Sequence, residues 1–460
     1  MMCDYEAEYS AIIFAEDKIA EYKCPHRSLK KVDKDGKSYC IFHSKIEDKD
    51  VEKFYKEFKE LYNKGEHNFT GFVFPKDFSF KRLRDETEGL GFSNAIFTEA
   101  LFICDAYFAG ATFSSDNMTS FYGAKFVGDG NANFMDTDFS GKGLTNFRNV
   151  QFSNKGSVNF ALTQFNSEGG TNFNGIQFYN KRGTYFIQTL FSSKGGIYFK
   201  KADFSSEGEV IFKGKLFSEE TEVDFRDVTF ETPGNVTFDG VNLSKCRLIG
   251  TDLEHINIKE VFWKNKKKDS CWRWGRMKVY EETLQTAIFK CGGERNHYEV
   301  YQLYNQLLLN YERTYRHHEA GDFYAGQMDM RRRGNLDRKI FSLIILTLYK
   351  GVSEYGERPV RVLGWLLFTL LAFGLIYAWI GIEGPPIFES FHYLNEYVKG
   401  LIVSLDIMTI GKVKEIFRTA YTLNSKDGLC ASLAKLGHVI SSASLLTLFL
   451  LSVRRRFRKV

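Results

Sequence analysis

Between Phe121 and Phe238 a phenylalanine stands every thirteen residues: Phe121, Phe134, Phe147, Phe160, Phe173, Phe186, Phe199, Phe212, Phe225 and Phe238. A second apolar residue follows each one five positions later, from Phe126 and Phe139 through Phe217 and Phe230 to Leu243. A repeat this strict commits the segment to a solenoid. Five is the period of neither a helix at 3.6 nor a strand at 2. It fits a coil of square cross-section whose sides take five residues and send one large apolar side chain inward. Plain five-residue spacing brackets the repeat, as Phe92, Phe97 and Phe102 before it and Leu243, Leu248, Leu253 and Ile258 after it. Small residues such as Ala95, Ala111, Ala132 and Ala202 stand two before a Phe, where a corner must turn inside the stack.

Thirteen then reads as five plus eight, one plain side followed by a side with three extra residues. The extras fall in SNKGSV, NSEGGT, SSKGGI, SSEGEV and ETPGNV, which are rich in Gly, Ser and charge. That is turn chemistry and predicts two rows of projecting loops. Some seven coils at about 4.8 Å each would make a rod on the order of 30–35 Å long. A β-meander or propeller of short hairpins is the rival arrangement. The Phe ladder itself is core, because stacked inward aromatics exclude water.

The stretches SNAIFTEALF and FDGVNLSKCRLIGTDLEHINI resemble the pentapeptide-repeat family. The resemblance implies a right-handed quadrilateral β-helix over 69–258, here with three-residue insertions giving the 13-residue period. Some members of that family imitate DNA. In this chain the repeat surface mixes Lys with Glu and the formal net charge is only +5, so no nucleic-acid partner is expected.

Residues 1–68 precede the repeats and carry a Cys/His knot at 23–44, KCPHRSLKKVDKDGKSYCIFHS. Cys24 and His26 form one close pair, Cys40 and His43 the other. Two thiolates and two imidazoles suit tetrahedral zinc, which would staple a segment too small for a core of its own. Cys3 and Cys104 are alternative ligands, and a small hydrophobic knob with an exposed His26 is the metal-free reading. The eight cysteines are scattered without disulfide-like pairing, and the polar start MMCDYEAEYS has no secretory character, so a reducing cytoplasmic setting is expected for this half. No nucleotide loop, nucleophile triad or carboxylate pair stands out, so the chain is not read as an enzyme.

After Ile258 the ladder stops. Residues 259–338 read as a helical connector: Leu303, Leu307, Tyr311 and Tyr315 recur at four, and EAGDFYAGQMDMRRRG resembles a helix-turn-helix pair similar to a tetratricopeptide unit. The run Arg331–Arg333 suits either a solvated helix end or anionic headgroups. Residues 339–357 contain KIFSLIILTLYK, too short to span and read as an interfacial helix.

Residues 358–460 have the composition of a membrane domain. Uncharged stretches at about 362–382 and 436–453 are read as spans, with buried core helices as the alternative. Arg358 and Arg361 precede the first, and Arg454, Arg455, Arg456, Arg458 and Lys459 follow the second. The positive-inside rule puts both flanks, and hence both termini, in the cytoplasm. Lys399, Lys412, Lys414 and Arg418 in the connecting segment weaken that contrast.

Between the spans, 393–411 reads YLNEYVKGLIVSLDIMTIG, with Tyr393, Tyr397, Leu401 and Leu405 at helical spacing. It suits a re-entrant pore helix. The stretch SLDIMTIG resembles the start of a potassium-channel filter, with Ser404 near the helix end and Thr409, Ile410 and Gly411 matching its first three positions. Lys412, Val413 and Lys414 then depart from the pattern. Val413 resists the backbone angles that Gly permits, and a ring of Lys412 would repel cations. Ser441, Ser444 and Thr447 lie along one stripe of the second span, which serves either helix packing or a wet lumen.

The expectation is therefore a channel-like membrane protein of a prokaryotic inner membrane: a fourfold homo-oligomer in the lipid bilayer, passing ions through a degenerate filter that is anion-passing or weakly selective. The rod would be its cytoplasmic assembly or gating element. The alternatives are a non-conducting loop and a membrane-anchored scaffold whose rod binds a protein partner.

Overall fold

The computed structural model describes the chain except residues 1, 14–15, 30–31, 47, 266–274, 285–295, 338, 386, 388–391, 410–420, 424–427 and 457–460, and the side chains of 8–20, 392 and 456. The described chain divides into two compact units, Met1–Asn310 and Tyr311–Val460.

In the first unit the Phe periodicity becomes a β-solenoid. Short strands stack into four parallel sheets, of seven, five, six and seven strands among the described residues. Phe139 pairs with Phe165 and Phe152 with Phe178, so strands meet their equivalents 26 residues on and two thirteen-residue units complete one coil. The inward side chains form four columns of stacked rings. In one of them Phe121 lies 4.8 Å from Phe147, Phe147 lies 5.2 Å from Phe173, and Phe173 lies 4.6 Å from Phe199, with interplanar angles of 7°, 17° and 5°. Rings of adjacent columns meet edge to face, as Phe134 does with Phe147 at 5.8 Å. Both geometries suit the aromatic quadrupole, so area burial and ring packing act together.

The turn two residues after each central Phe is left-handed. Gly123, Asp136, Asn149, Leu162, Gly175, Gln188, Lys201, Gly214, Asp227 and Gly240 all have φ between 53° and 97°. Four of these ten are glycine and three are Asp or Asn, which tolerate the conformation; at Leu162, Gln188 and Lys201 the corner is imposed by the stack on residues that resist it locally.

The expected rows of projecting loops are not what the inserted residues build. Asn154, Ser167, Asn180, Ser193 and Ser206 within them are buried. Asn154 Nδ2 donates to Gly130 O at 2.9 Å, and Thr145 and Ser167 hydroxyls meet at 2.8 Å. The turns lie flat on those of the next coil: a Cβ on Gly169 would stand 2.7 Å from the carbonyl carbon of Gly143. Backbone polar groups that would lack partners inside the stack are satisfied by these side chains. The charged tips pair from coil to coil, Lys194 with Glu168 at 2.6 Å and Lys155 with Asp129 at 2.7 Å. Such exposed pairs add little stability, but they leave the rod without a one-signed face.

A solenoid needs caps. At the N-terminal end helix α1 (Val51–Asn63), started by the Asp50 side chain accepting from Lys53 N–H, buries Phe54, Tyr55 and Phe58. Phe58 packs on Phe69 and Phe74 of the first coil at 4.9 and 5.4 Å, and helix α2 (Phe80–Glu86) adds Phe80. At the other end Glu281 closes the stack: its Oε1 accepts from the N–H groups of Leu248 and Ile249. Burial pushes its carboxyl up to about 7. Asn310, on helix α3 (His297–Arg313), donates to the carbonyls of Leu253 and Ile256, 2.8 Å each.

The second unit is helical: α4 (His317–Arg333), α5 (Ile340–Ser353), α6 (Pro359–Ile380), α7 (His392–Met408) and α8 (Gly428–Arg456). Helices α6 and α8 are long and apolar enough to cross a membrane. Leu363, Leu367, Phe368 and Leu371 of α6, and Leu433, Leu436, Val439 and Ile440 of α8, are exposed.

Candidate metal centre and membrane module

Four buried side chains at the N-terminal end converge: Cys3, Cys24, Cys40 and His43, with all four ligand atoms within 4.8 Å of one another. Cys24 Sγ and Cys40 Sγ are 3.7 Å apart, and His43 Nδ1 stands 3.1 Å from Cys40 Sγ and 3.7 Å from Cys3 Sγ. Tetrahedral zinc with its usual bond lengths wants sulfur–sulfur separations of about 3.8 Å and sulfur–nitrogen ones of about 3.6 Å. The donor set and its spacing fit a metal ion.

The quartet differs in one member from the one the sequence suggests. Cys24, Cys40 and His43 are brought together as expected, but Cys3 takes the place of His26. The His26 ring instead lies edge-on to Phe42 at 4.9 Å. His26 serves the group through its backbone, whose N–H donates to Cys24 Sγ at 3.4 Å, as Cys40 N–H does to Cys3 Sγ at 3.1 Å. The physical reason is the tight Cys-x-His spacing: the N–H of His26 already points at Cys24 Sγ while its ring packs on Phe42. Cys104, the other alternative, is buried, and it is not in the group.

His43 is oriented from behind. Its Nε2 stands 2.9 Å from Thr70 O, which calls for the Nε2–H tautomer and leaves the Nδ1 lone pair facing the sulfurs. A partner on the far nitrogen is the usual way a ligating imidazole is held. The Tyr5 ring stacks on it at 4.0 Å. The three thiols perturb one another. Hydrogen bonds from Cys24 and Cys40 hold Cys3 far below the usual thiol range, while Cys24, bonded to Cys3, is pushed up to about 12 and Cys40 is pushed up too. One thiolate is readily carried with two S–H donors on it; a divalent cation is what would let all three ionise.

In the second unit α6 and α8 pack on each other, and α7 lies along α6 and touches α8. A Cβ on Gly400 would stand 2.1 Å from Gly374 O of α6, so the two backbones touch. One turn on, Ser404 Oγ donates to Leu370 O at 3.0 Å. Gly400 faces Gly374 and Ser404 faces Leu370, so α7 runs antiparallel to α6, back along it from the Ile380 end. Beyond the undescribed residues the chain is again at that end, where Thr422 and Leu423 pair with Glu383 and Ile382. His438 of α8 joins the group: Tyr377 Oη and His438 Nδ1 are 3.0 Å apart, His438 Nε2 and Ser404 Oγ 3.4 Å, and the imidazole stacks on Phe373 at 4.2 Å.

The residues singled out from the sequence fall in different places. Ser404 is fully buried inside this packing. Thr409 is exposed, its hydroxyl donating to Leu405 O at 2.9 Å. Ile410, Gly411 and Lys412 lie outside the described residues. Ser444 and Thr447 are exposed and Ser441 is half-buried; Ser441 donates to His438 O and Thr447 to Ala443 O.

Sequence reading missed an ion-pair network at the base of the long helices. Asp329 of α4, nearly inaccessible, accepts from Lys350 Nζ at 2.7 Å, from Arg332 and Arg333 at 3.2 and 3.1 Å, and from Tyr355 Oη at 3.1 Å. Arg331 pairs with Asp337. The arginine run is thus engaged within the protein. Arg358 reaches Asp322 at 3.3 Å, while Arg455, at the far end of α8, donates to Tyr355 O at 3.1 Å. The start of α6 and the end of α8 therefore meet the same loop. Only the alternation of acids and bases across 319–361 hinted at this.

Comparison of the chain with family models, with curated proteins and with solved structures finds no match.

Proposed function

We propose that the chain is a subunit of a channel-like membrane protein. The observation that carries this reading is the course of α7: it starts beside Ile382 and Glu383, passes Leu370 of α6 at Ser404 and runs on to Met408, and at Thr422 and Leu423 the chain again pairs with Glu383 and Ile382. A chain that enters the helical bundle and is found again at the end where it entered is what a re-entrant element requires. Backbone at that depth is tolerated where protein or a water-filled cavity surrounds it. Ser404, His438 and Tyr377 give it polar anchors. In this reading α6 and α8 cross the inner membrane of a prokaryote with both ends on the cytoplasmic side, four subunits surround an axis, and ions pass the segment containing Thr409, Ile410, Gly411 and Lys412. Lysines there favour an anion-passing or weakly selective pore.

The first unit would be the cytoplasmic assembly or gating element, a quadrilateral pentapeptide-repeat helix whose N-terminal quartet holds structural zinc. Reconstitution into bilayers tests the function: currents, together with a tetrameric mass in detergent, are expected. Silence under voltage, ligand and tension stimuli, or a monomeric mass, overturns it.

A membrane-tethered scaffold is the second reading. It is favoured by the hydroxyls of Ser441 and Thr447, which are satisfied on their own helix and need no lumen. Deleting 384–430 separates the two, because a scaffold keeps its partner binding and a channel loses its current.

A further inference from the structure

The metal quartet is built from three separate stretches: those of Cys3 and of Cys40 and His43 are tied to the first coil of the solenoid, and Cys24 joins them through its N–H, which donates to Tyr5 O at 3.2 Å. Val73 N–H donates to Phe42 O at 2.7 Å, and the Phe42 ring stacks on Phe72 at 4.5 Å and 5°. His43 Nε2 rests on Thr70 O. Tyr5, stacked on His43, sits directly on Gly71, where an added Cβ would stand 2.0 Å from the ring and φ is 69°. Phe69 and Gly71 in turn donate to Ile96 and Thr98 of the following coil at 2.6 and 2.8 Å. The first coil thus has the metal ligands on one side and the rest of the stack on the other.

We propose that metal binding at Cys3, Cys24, Cys40 and His43 clamps the N-terminal cap onto the solenoid, so that occupancy sets the stability of the first coils. This rests on reading the quartet as a zinc site and adds what zinc does there. The logic is local. The hairpin of Glu6–Ile13 and Glu16–Lys23 joins Cys3 to Cys24, but the stretches that carry the ligands, around residues 3, 24 and 40–43, lie outside it and outside helix α1, so the binding free energy of the ion helps to order them. Each coil contacts only its neighbours, so release of the cap loosens the coils next to it and leaves distant ones alone. His26 is outside the clamp and Cys3 is inside it.

The experiment uses the full chain in detergent, loaded with zinc or stripped by a chelator. Metal content is read by elemental mass spectrometry and order by amide hydrogen exchange. One zinc per chain is expected for the wild type and for His26→Ala, and loss of zinc for Cys3→Ser. Stripping should speed exchange about tenfold or more at the amides of Phe69, Gly71 and Val73, with Thr184 and Phe199 unchanged. Should Cys3→Ser fail to fold, cobalt titration of the wild-type chain decides, because the thiolate-to-cobalt absorbance distinguishes three sulfurs from two. A chain that takes up no metal overturns the zinc reading itself. A chain that binds zinc yet shows unchanged exchange at 69–73 overturns the clamp and leaves the zinc reading standing. Retention of zinc by Cys3→Ser with its loss in His26→Ala removes Cys3 from the site.

Discussion

The hydroxyl of Tyr377 on α6 stands 3.0 Å from Nδ1 of His438 on α8, and the opposite nitrogen of that ring reaches Ser404 on α7. Three helices are pinned at one fully buried imidazole. A neutral ring satisfies the whole chain: Tyr377 O–H donates to Nδ1, Nε2–H donates to Ser404 Oγ, and Ser404 O–H donates to Leu370 O. His438→Leu is expected to lower unfolding stability in detergent by about 1–2 kcal/mol, since polar contacts between membrane helices are individually modest. Tyr377→Phe should cost about half as much. A thermal shift for Tyr377→Phe as large as that for His438→Leu would contradict the pin.

Asp329 presents a different balance. Three cations and the Tyr355 hydroxyl converge on one carboxylate that solvent scarcely reaches. Removing the acid leaves those cations facing one another. Asp329→Asn should destabilise the helical unit by about 3–5 kcal/mol, while Lys350→Met, which removes one cation of three, should cost far less. Chemical denaturation followed by Trp fluorescence measures both, and equal losses would show that the carboxylate is not the hub.

Glu281 makes the solenoid sensitive to pH. Burial raises its carboxyl from the usual 4.5 to about 7. The folded unit therefore holds the proton more tightly than the unfolded chain. The stabilisation is complete below about 4.5, falls as pH rises through 7, and is level beyond, with a total of about 3 kcal/mol as an upper bound. Amide exchange at Leu248 and Ile249 should speed up between pH 5 and 8 after correction for the intrinsic rate, and Glu281→Gln should abolish that dependence. A wild-type profile as flat as that of the Gln variant would remove Glu281 from this role.

The left-handed corner at Leu162 offers a gain. Its φ is 61° and its side chain is half exposed, so the stack holds a branched residue where the backbone prefers Asn or Gly. Leu162→Asn should stabilise the rod by about 1 kcal/mol without the entropy that Gly adds to the unfolded chain. Urea denaturation reads the difference, and a destabilised variant would mean that Leu162 packs more usefully than its exposure indicates.

These corners mark where sequence reading stopped. The Phe ladder was legible because its period survives translation into space, each ring stacking on its equivalent one coil away. The left-handed positions were not, because Asp, Asn, Leu, Gln and Lys together occupy them more often than Gly, and the constraint comes from the neighbouring coils. Loop composition pointed to projecting turns, yet Asn154 and Ser167 are drawn inward by carbonyls and hydroxyls of adjacent strands that a one-dimensional pattern does not display. In the metal group, local spacing identified Cys24, Cys40 and His43; Cys3 is brought in by the chain's course over more than thirty residues, where Cys3 N–H donates to His26 O and Asp4 N–H to Ser38 O. The helix of 393–411 was visible in its apolar spacing, whereas its partner Gly374 lay unremarked inside a uniformly apolar span.

Gly374 and Gly400 give the sharpest test of the proposed membrane module. At 2.1 Å from Gly374 O, a Cβ on Gly400 has no room unless α7 moves off α6, and the atom it meets is backbone that cannot rotate away. Small residues at such a crossing let two helices approach, and overpacking there costs about 1–3 kcal/mol. Gly400→Ala should therefore lower thermal stability and displace Ser404 from Leu370 O. The long helices remain able to insert, because neither their length nor their apolar faces change. Under the channel reading the variant reaches the membrane in normal amount and its currents are lost or altered. Under the scaffold reading it keeps full partner binding despite the lower melting point. Unaltered conductance with a wild-type melting temperature would mean that α7 does not lie against α6 in the bilayer.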